Sequence, residues 1–306
     1  MTVRKTFKEL TIKDNFMFGA VMCKEDNCRR LLELILDVPI ARVEVSKEKS
    51  IIYHPEYKGV RLDVYAKDEK NTHFNVEMQA VPKEALGKRA RYYHSQIDME
   101  MLVSGAEYPE LANSYVIFIC DFDPFGWGKY RYTFRNLCLE EDMAEIDDGC
   151  ETIFLNTKGM NDRDVPLALK RFLEYVGADL PSSTADFGDE FVAQLQKTVK
   201  NVKESRRMEG RYMLTELLMQ DERRAGRIEG HEAGRIEGHE AGRIEGHESG
   251  KLEARKDSIL EQLSEIGNVP GALIERIKGE TDMDRLRFWT RLVIRVDSVE
   301  QFMKEL

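Results

Sequence analysis

The fold is decided by two short segments, VRLDVY at residues 60–65 and FNVEMQ at residues 74–79. In both segments apolar residues alternate with polar ones, and a period of two is typical of β-strands. A short polar turn separates them, so they are predicted to form a β-hairpin. Asp63 lies on the polar face of the first strand, and Glu77 and Gln79 share the polar face of the second. The hairpin is therefore expected to bring two carboxylates close together.

Two neighbouring carboxylates are suited to a hard divalent cation, Mg²⁺ above all, together with a backbone carbonyl oxygen and water. Such an ion can polarise a phosphoryl oxygen and lower the pKa of a bound water, which supplies a nucleophile at neutral pH. The other interpretation is that Asp63 and Glu77 are simply solvated on the outer face of the hairpin. His73, close to both, is either a general base or, as a turn residue, exposed to solvent.

The sequence on either side of the hairpin predicts the rest of a compact α/β domain. Helices are predicted over 15–23, with Asp14 as the N-cap, over 25–36 and over about 83–104. Strands are predicted over 114–120, near 131–137 and near 152–155. Beyond residue 161 the strand signals end, and helices are predicted over 165–175, from about 189 into the region that follows, and over 256–306 with a break near 267–271.

Residues 226–249 form a tandem repeat, GRIEGHEA, GRIEGHEA and GRIEGHES. The repeat places glycine at every fourth position, and each glycine destabilises a helix by about 0.8–1 kcal/mol relative to alanine. Its histidines, His231, His239 and His247, would lie about 12 Å apart and be rotated by roughly 80° from one to the next on one helix. They cannot share one metal ion within a chain, so the repeat is interpreted as a helical linker or a self-association rod.

The composition excludes several classes of protein. A chain of 306 residues with 42% hydrophobic and 33% charged residues is neither a disordered tail nor a membrane protein, and a net charge of −10 argues against coating nucleic acid by bulk electrostatics. Six acidic residues and no basic ones lie in 139–150, which favours a solvated loop over a metal site. Five cysteines without a CxxC pair indicate reduced thiols. Because no apolar segment follows the first basic residues, we expect no signal peptide and a cytoplasmic location.

The residues around the two carboxylates resemble the D…ExQ form of the PD-(D/E)XK nuclease motif, and the similarity is greatest to the recombination-promoting nuclease and transposase family. The segments that carry the resemblance are RLDV at 61–64, NVEMQ at 75–79, TIKDNFMF at 11–18, RARYY at 89–93, YPEL at 108–111 and the stretch 121–125. The resemblance covers residues 5–160 well and extends loosely through the helical tail.

This resemblance implies an α/β fold with a PD-(D/E)XK restriction-endonuclease-like core, a mixed central sheet flanked by helices, followed by an all-helical C-terminal region. The expected organisation is a nuclease-like domain over 1–160, a helical connector over 161–225, a repeat helix or linker over 226–250 and a C-terminal helical region over 251–306.

The resemblance also implies which residues form the site. Asp63 and Glu77 would bind Mg²⁺ or another divalent cation, and Gln79 would be the third catalytic residue in a position where lysine is commoner. A neutral amide can orient the attacking water but cannot stabilise its hydroxide form with a full charge.

Four further residues are candidates for the site. Asp14 would add a carboxylate, or would act only as a helix cap, and Gln96 on the helix after the hairpin is a possible accessory residue. Arg89 and Arg91 would hold a DNA phosphate, or are ordinary exposed helix residues.

The function that follows is that of a Mg²⁺-dependent DNA endonuclease, a phosphodiester hydrolase. Promotion of DNA recombination, or defence against foreign DNA, is implied by the resemblance alone. The expected partners are DNA and a second copy of the chain, bound through the helical tail, and no membrane. The alternative is a catalytically weak or inactive nuclease-fold protein that acts through self-association or partner binding of its repeat-bearing tail.

Overall fold

The computed structural model describes residues 5–51, 60–141 and 144–306. In these ranges the strands are β1 (Val43–Ile51), β2 (Val60–Asp68), β3 (His73–Gln79), β4 (Ser114–Cys120), β5 (Arg131–Phe134) and β6 (Cys150–Asn156). The helices are α1 (Asn15–Met22), α2 (Glu25–Leu36), α3 (Leu86–Met101), α4 (Leu167–Gly177), α5 (Glu190–Glu204), α6 (Arg206–Ile266), α7 (Gly271–Gly279), α8 (Met283–Val293) and α9 (Val299–Glu305).

The six strands form one mixed sheet with the order β1-β2-β3-β4-β6-β5. The predicted hairpin is confirmed, because β2 and β3 pair antiparallel with Val64 opposite Val76. In contrast, β3 pairs parallel with β4, and β4 pairs parallel with β6. The carboxyl ends of β3, β4 and β6 therefore meet at one edge of the sheet, which we call the carboxyl edge. The predicted α/β fold with a mixed central sheet and a helical C-terminal region is confirmed.

Helices cover both faces of the sheet, so its central strands are buried on both sides. Apolar residues of α1, α2, α4 and α5 pack on one face against Val64, Val76 and Ile117. On the other face α3 packs through Ala90 and Tyr93 against residues of β4 and β6. Every residue of β3 is buried. A polar side chain on β3 consequently lies under α3 and not in solvent.

The chain divides into two compact units after Glu216. The helices α4 and α5, predicted as part of a connector over 161–225, contribute Phe172, Val192 and Leu195 to the core of the first unit. The boundary expected at residue 160 thus falls inside this unit. The second unit, 217–306, has its own core, in which Ile259 and Trp289 are buried.

One helix was expected to run from about 189 into the repeat, and the structure corrects this expectation. α5 ends at Glu204, and α6 begins at Arg206 after an extended Ser205. The Ser205 carbonyl accepts hydrogen bonds from the backbone N–H groups of Met208 and Glu209 and so starts the new helix.

The repeat itself is helical throughout, within the 61 residues of α6. All residues of 221–250 whose burial the structure describes are exposed. No helix in the described ranges is long and apolar enough to cross a membrane.

The acidic stretch 139–150 was predicted to be a solvated loop, and its described residues agree with this prediction. Its described acidic residues, among them Glu145 and Asp147, are exposed and belong to no helix or strand. Asp142 lies outside the described residues.

All five cysteines are free, and burial raises the pKa of Cys28 and Cys120 to about 12.

Candidate active site

The two predicted carboxylates meet where the β2–β3 ladder ends. The ladder ends at the pair Val64–Val76, and Asp63 and Glu77 are the next residues on the two strands. The backbone N–H of Asp63 donates to Glu77 Oε1 over 3.2 Å, and the backbone N–H of Met78 donates to Asp63 Oδ2 over 3.3 Å. Each carboxylate thus accepts a hydrogen bond from the backbone of the opposite strand, which holds both at one site.

Glu77 and Gln79 lie on the buried face of β3, where their side chains are 0% and 1% exposed. Asp63 is half-buried on the neighbouring strand. The interpretation of these polar residues as a solvated outer face is therefore wrong for β3, because α3 covers that face. A buried carboxylate must be paired or hydrogen-bonded to be tolerated, so the surroundings of Glu77 decide its chemistry.

Arg89 on α3 is the counterion of Glu77. Its Nη2 lies 2.8 Å from Glu77 Oε2, and its Nη1 donates to Gln79 Oε1 over 3.4 Å. Its Nε donates to the Tyr93 hydroxyl over 2.5 Å, and that hydroxyl in turn donates to Glu77 Oε2 over 3.4 Å. The guanidinium group is thereby fixed over both polar side chains of β3. Arg89 thus places a positive charge beside Gln79.

Burial, and after it the nearby charge of Asp63, raise the pKa of Glu77 to about 7, although Arg89 acts to lower it. Burial and the repulsion between the two carboxylates therefore both disfavour the ionised form of Glu77. A cation bound between Asp63 and Glu77 would relieve this repulsion.

The donor set fits Mg²⁺, because oxygen atoms of two carboxylates on adjacent strands are the ligands that this ion prefers. A second observation concerns Gln79, whose Nε2 is buried and has no hydrogen-bond partner among the described residues. A buried amide N–H without a partner is costly, and a water or a substrate oxygen at the site would satisfy it. Within the described ranges no group of three or more His, Cys, Asp and Glu residues that could hold a metal ion is found.

The structure does not bring Asp14 into this site. Asp14 occupies the N-cap position of α1 as predicted, but its carboxylate binds Lys5 Nζ at 2.7 Å and accepts from the backbone N–H of Thr11. The next residue, Asn15, reaches the site instead, and its Nδ2 donates to Asp63 Oδ2 over 3.3 Å. Sequence reasoning missed Asn15. The available signal was its place in the first turn of a helix that opens the similar segment 11–18.

The remaining candidates lie elsewhere on α3 and β3. Arg91 is exposed, in contrast to Arg89 two residues earlier. Gln96 is buried on α3, and the structure gives it no hydrogen bond to the residues described at the site. His73 is buried and contacts the Tyr65 hydroxyl through Nδ1, so the expectation that it is exposed is wrong. It is also four residues from Glu77 along the strand, about 13 Å, too far to act as a base there.

The histidines of the repeat, His231, His239 and His247, are exposed on α6 and belong to no metal-binding cluster within the described part of the chain.

Comparison with known proteins agrees with the fold. Residues 13–224 match the sequence model of one family, described as PD-(D/E)XK nuclease family transposase. This match spans the sheet, the flanking helices and the first part of α6. No curated protein and no solved structure shows significant similarity to the chain.

Proposed function

Because the chain belongs to the PD-(D/E)XK nuclease family transposases, we propose that it is a metal-dependent DNA endonuclease that hydrolyses phosphodiester bonds. The observation that supports this most strongly is the burial of Glu77 opposite Asp63, with Arg89 as its counterion. A buried glutamate with a raised pKa, beside a second carboxylate and a guanidinium group, is typical of a functional site.

In this proposal Asp63 and Glu77 hold Mg²⁺ or another divalent cation. The ion supplies Lewis-acid stabilisation of the phosphoryl oxygen and a water of lowered pKa. Asn15 and the backbone N–H of Met78 orient the Asp63 carboxylate through their hydrogen bonds. Gln79 accepts from Arg89 through Oε1, which leaves its Nε2 to orient the attacking water.

Arg89 has two roles in this site. Before substrate binds, it neutralises Glu77. With DNA bound, its guanidinium group is placed to donate to a phosphate oxygen and to stabilise the charge that develops there. Arg91 on the exposed side of α3 would contact the DNA backbone farther from the reacting bond. Asp14 and Gln96 retain only accessory parts in this proposal.

The repeat-bearing tail is proposed to join two copies of the chain. Ile228, Ile236 and Ile244 are about half exposed along α6, although isoleucine is normally buried. A second helix packed on α6 would cover them. Promotion of DNA recombination is proposed from the family resemblance alone, and a cytoplasmic location is proposed from the sequence.

The test is nicking of supercoiled plasmid by the purified protein with Mg²⁺, Mn²⁺ or Ca²⁺. We expect nicking that requires a divalent cation and disappears in Asp63→Asn, which keeps the shape of the side chain but removes its charge. The matched control is Glu44→Gln, a carboxylate exposed on the neighbouring strand β1, which should leave nicking unchanged.

Two outcomes would contradict the proposal. Cleavage that persists in Asp63→Asn would place the active site elsewhere. A wild-type protein that is inert with every cation and DNA form would favour the alternative, a nuclease fold that acts through association of its tail.

A further inference from the structure

Trp127 lies in the first unit and has no role in the proposed active site. The chain has two tryptophans, and their environments are opposite. Trp289 is 4% exposed in the core of the second unit, whereas Trp127 is 80% exposed. An exposed indole keeps a large apolar surface in water, so Trp127 does not stabilise the fold by burial. Its position therefore needs another explanation.

The loop that carries Trp127 is fixed in place. The Asp123 carboxylate accepts hydrogen bonds from the backbone N–H groups of Phe125 and Gly128 and from the Tyr132 hydroxyl, over 2.7–3.1 Å. Gly126 and Gly128 on either side of Trp127 have φ values of 75° and 66°, which favour glycine. Trp127 is therefore presented by a rigid turn.

Phe125 anchors the same loop to the sheet. Its ring packs on Tyr132 with the centroids 4.8 Å apart and on Phe154 of β6 with the centroids 5.1 Å apart. This anchor holds the indole at the carboxyl edge, since the loop connects the end of β4 with β5.

The loop begins beside the candidate active site. The backbone N–H of Asp121 donates to the carbonyl of Gln79 over 3.0 Å, which joins the first residue of the loop to the last residue of β3. A cleft of about 320 Å³ lies between this loop and the start of α3, and it is lined by Leu86, Gly87 and Phe122, among others. Trp127 thus lies at the same edge of the sheet as Asp63, Glu77 and Gln79.

Apolar and cationic groups accompany Trp127 at this edge. Met160 is 80% exposed, and its side chain lies against Gly128. Lys129 and Lys158 are half exposed. Lys129 Nζ lies 3.2 Å from the Asp164 carboxylate and Lys158 Nζ lies 2.8 Å from the Asp121 carboxylate, so a DNA phosphate would compete with these carboxylates. Aromatic and cationic side chains side by side are the combination by which proteins bind single-stranded nucleic acid.

We propose that Trp127 stacks on an unpaired base of the DNA strand held at the Asp63–Glu77 site. This inference rests on the proposed function and adds a substrate class to it, namely DNA with a single-stranded or unstacked segment. A ring held by a rigid loop loses little conformational freedom on stacking, which favours binding. Lys129 and Lys158 contact the phosphates next to that base.

Tryptophan fluorescence tests the inference directly, because Trp289 is buried and Trp127 is the exposed emitter. The protein is titrated with a single-stranded oligonucleotide and with the matching duplex in EDTA, which prevents metal-dependent cleavage. We expect the single strand to quench the emission more strongly than the duplex does. Trp127→Phe should lose the quenching and retain most of the affinity.

The decisive variant is Trp127→Ala, which should weaken binding of the single strand roughly tenfold or more and binding of the duplex less. The matched control is Tyr108→Ala. Tyr108 is 83% exposed but precedes β4, so it lies at the opposite edge of the sheet, and its loss should change neither affinity. Thermal unfolding of both variants checks that they fold.

The outcomes separate this inference from the proposed function. If DNA is bound and nicked but the emission does not change and Trp127→Ala binds like wild type, the stacking inference is overturned and the nuclease stands. Quenching without any nicking supports stacking and contradicts the nuclease. Absence of DNA binding, with quenching by an apolar peptide instead, would assign the surface to a protein partner and overturn the inference.

Discussion

The polar face of β3 and the repeat in α6 have similar residue types and opposite environments. On β3 the carboxylate of Glu77 is buried, and Arg89, Tyr93 and a backbone N–H surround it. In the repeat every described glutamate and arginine is exposed along a helix. A buried charge needs specific partners, whereas an exposed one is stabilised by water, so substitutions should matter greatly in the first region and little in the second.

The sharpest test of this difference replaces one glutamate by glutamine in each region. Glu77→Gln removes a proposed metal ligand and should lower nicking at least about a hundredfold, the effect of losing a group that stabilises the transition state. Glu237→Gln in the repeat should leave nicking unchanged. Initial rates of plasmid nicking at saturating Mg²⁺ measure both. Equal rates for the two variants would show that the buried carboxylate has no catalytic part.

A second test uses two arginines of α3 in different environments. Arg89→Ala leaves Glu77 without its counterion and should lower the free energy of unfolding by roughly 3 kcal/mol, at the low end for a buried pair because the Arg89 side chain is 30% exposed. Arg91→Ala should change it by no more than about 0.5 kcal/mol.

Urea unfolding measures these changes. Combining Arg89→Ala with Glu77→Gln should recover much of the lost stability, since no unpaired charge then remains. Additive losses in the double variant would mean that Arg89 stabilises the unit through packing and not through Glu77.

A third test compares buried and exposed histidines. Burial lowers the pKa of His73 and of His94 to about 4, so below about pH 6.5 the unfolded state binds protons that the folded state does not. The stability of the first unit is therefore complete above about pH 6.5 and should fall by roughly 2–3 kcal/mol per histidine as the pH approaches 4.

Urea unfolding at a series of pH values checks the sign and the range. His94→Gln should make the loss shallower, whereas replacing His231, His239 and His247 together by glutamine should leave it unchanged. If the triple histidine variant makes the loss of stability at low pH shallower, the assignment of this loss to the buried histidines is contradicted.

The smallest expected effects lie in the repeat. A Cβ added at Gly230, Gly234 or Gly238 would meet no atom within 4 Å apart from the helix's own neighbouring residues, so Gly→Ala there meets no obstacle. Each replacement should stabilise the helix by about 0.8–1 kcal/mol, which circular dichroism during heating would detect. The variant with Gly230, Gly234 and Gly238 all replaced by alanine also tests self-association. If it sediments as a monomer where the wild type sediments as a dimer, these glycines are contact points for the second copy.

Most of the fold was predictable from local patterns. Alternation in 60–65 and 74–79 predicted β2 and β3, and the bounds of α2 and β4 agree with the predicted 25–36 and 114–120. The break at Ser205 and the shorter α3 were not predicted, because helix ends depend on tertiary contacts as much as on propensity.

The alternation around Asp63, Glu77 and Gln79 predicted a two-strand carboxylate site, and the family was identified only together with the similar segments on either side of it. Which of the other polar residues belong to the site was decided by tertiary structure. Arg89, Tyr93 and Asn15 come from helices that pack on the sheet, and no local pattern distinguishes Arg89 from Arg91. The sequence thus determined the strands and the carboxylates, because alternation is a local property. The burial of Glu77, its counterion and the exposure of Trp127 arise only when distant segments pack together.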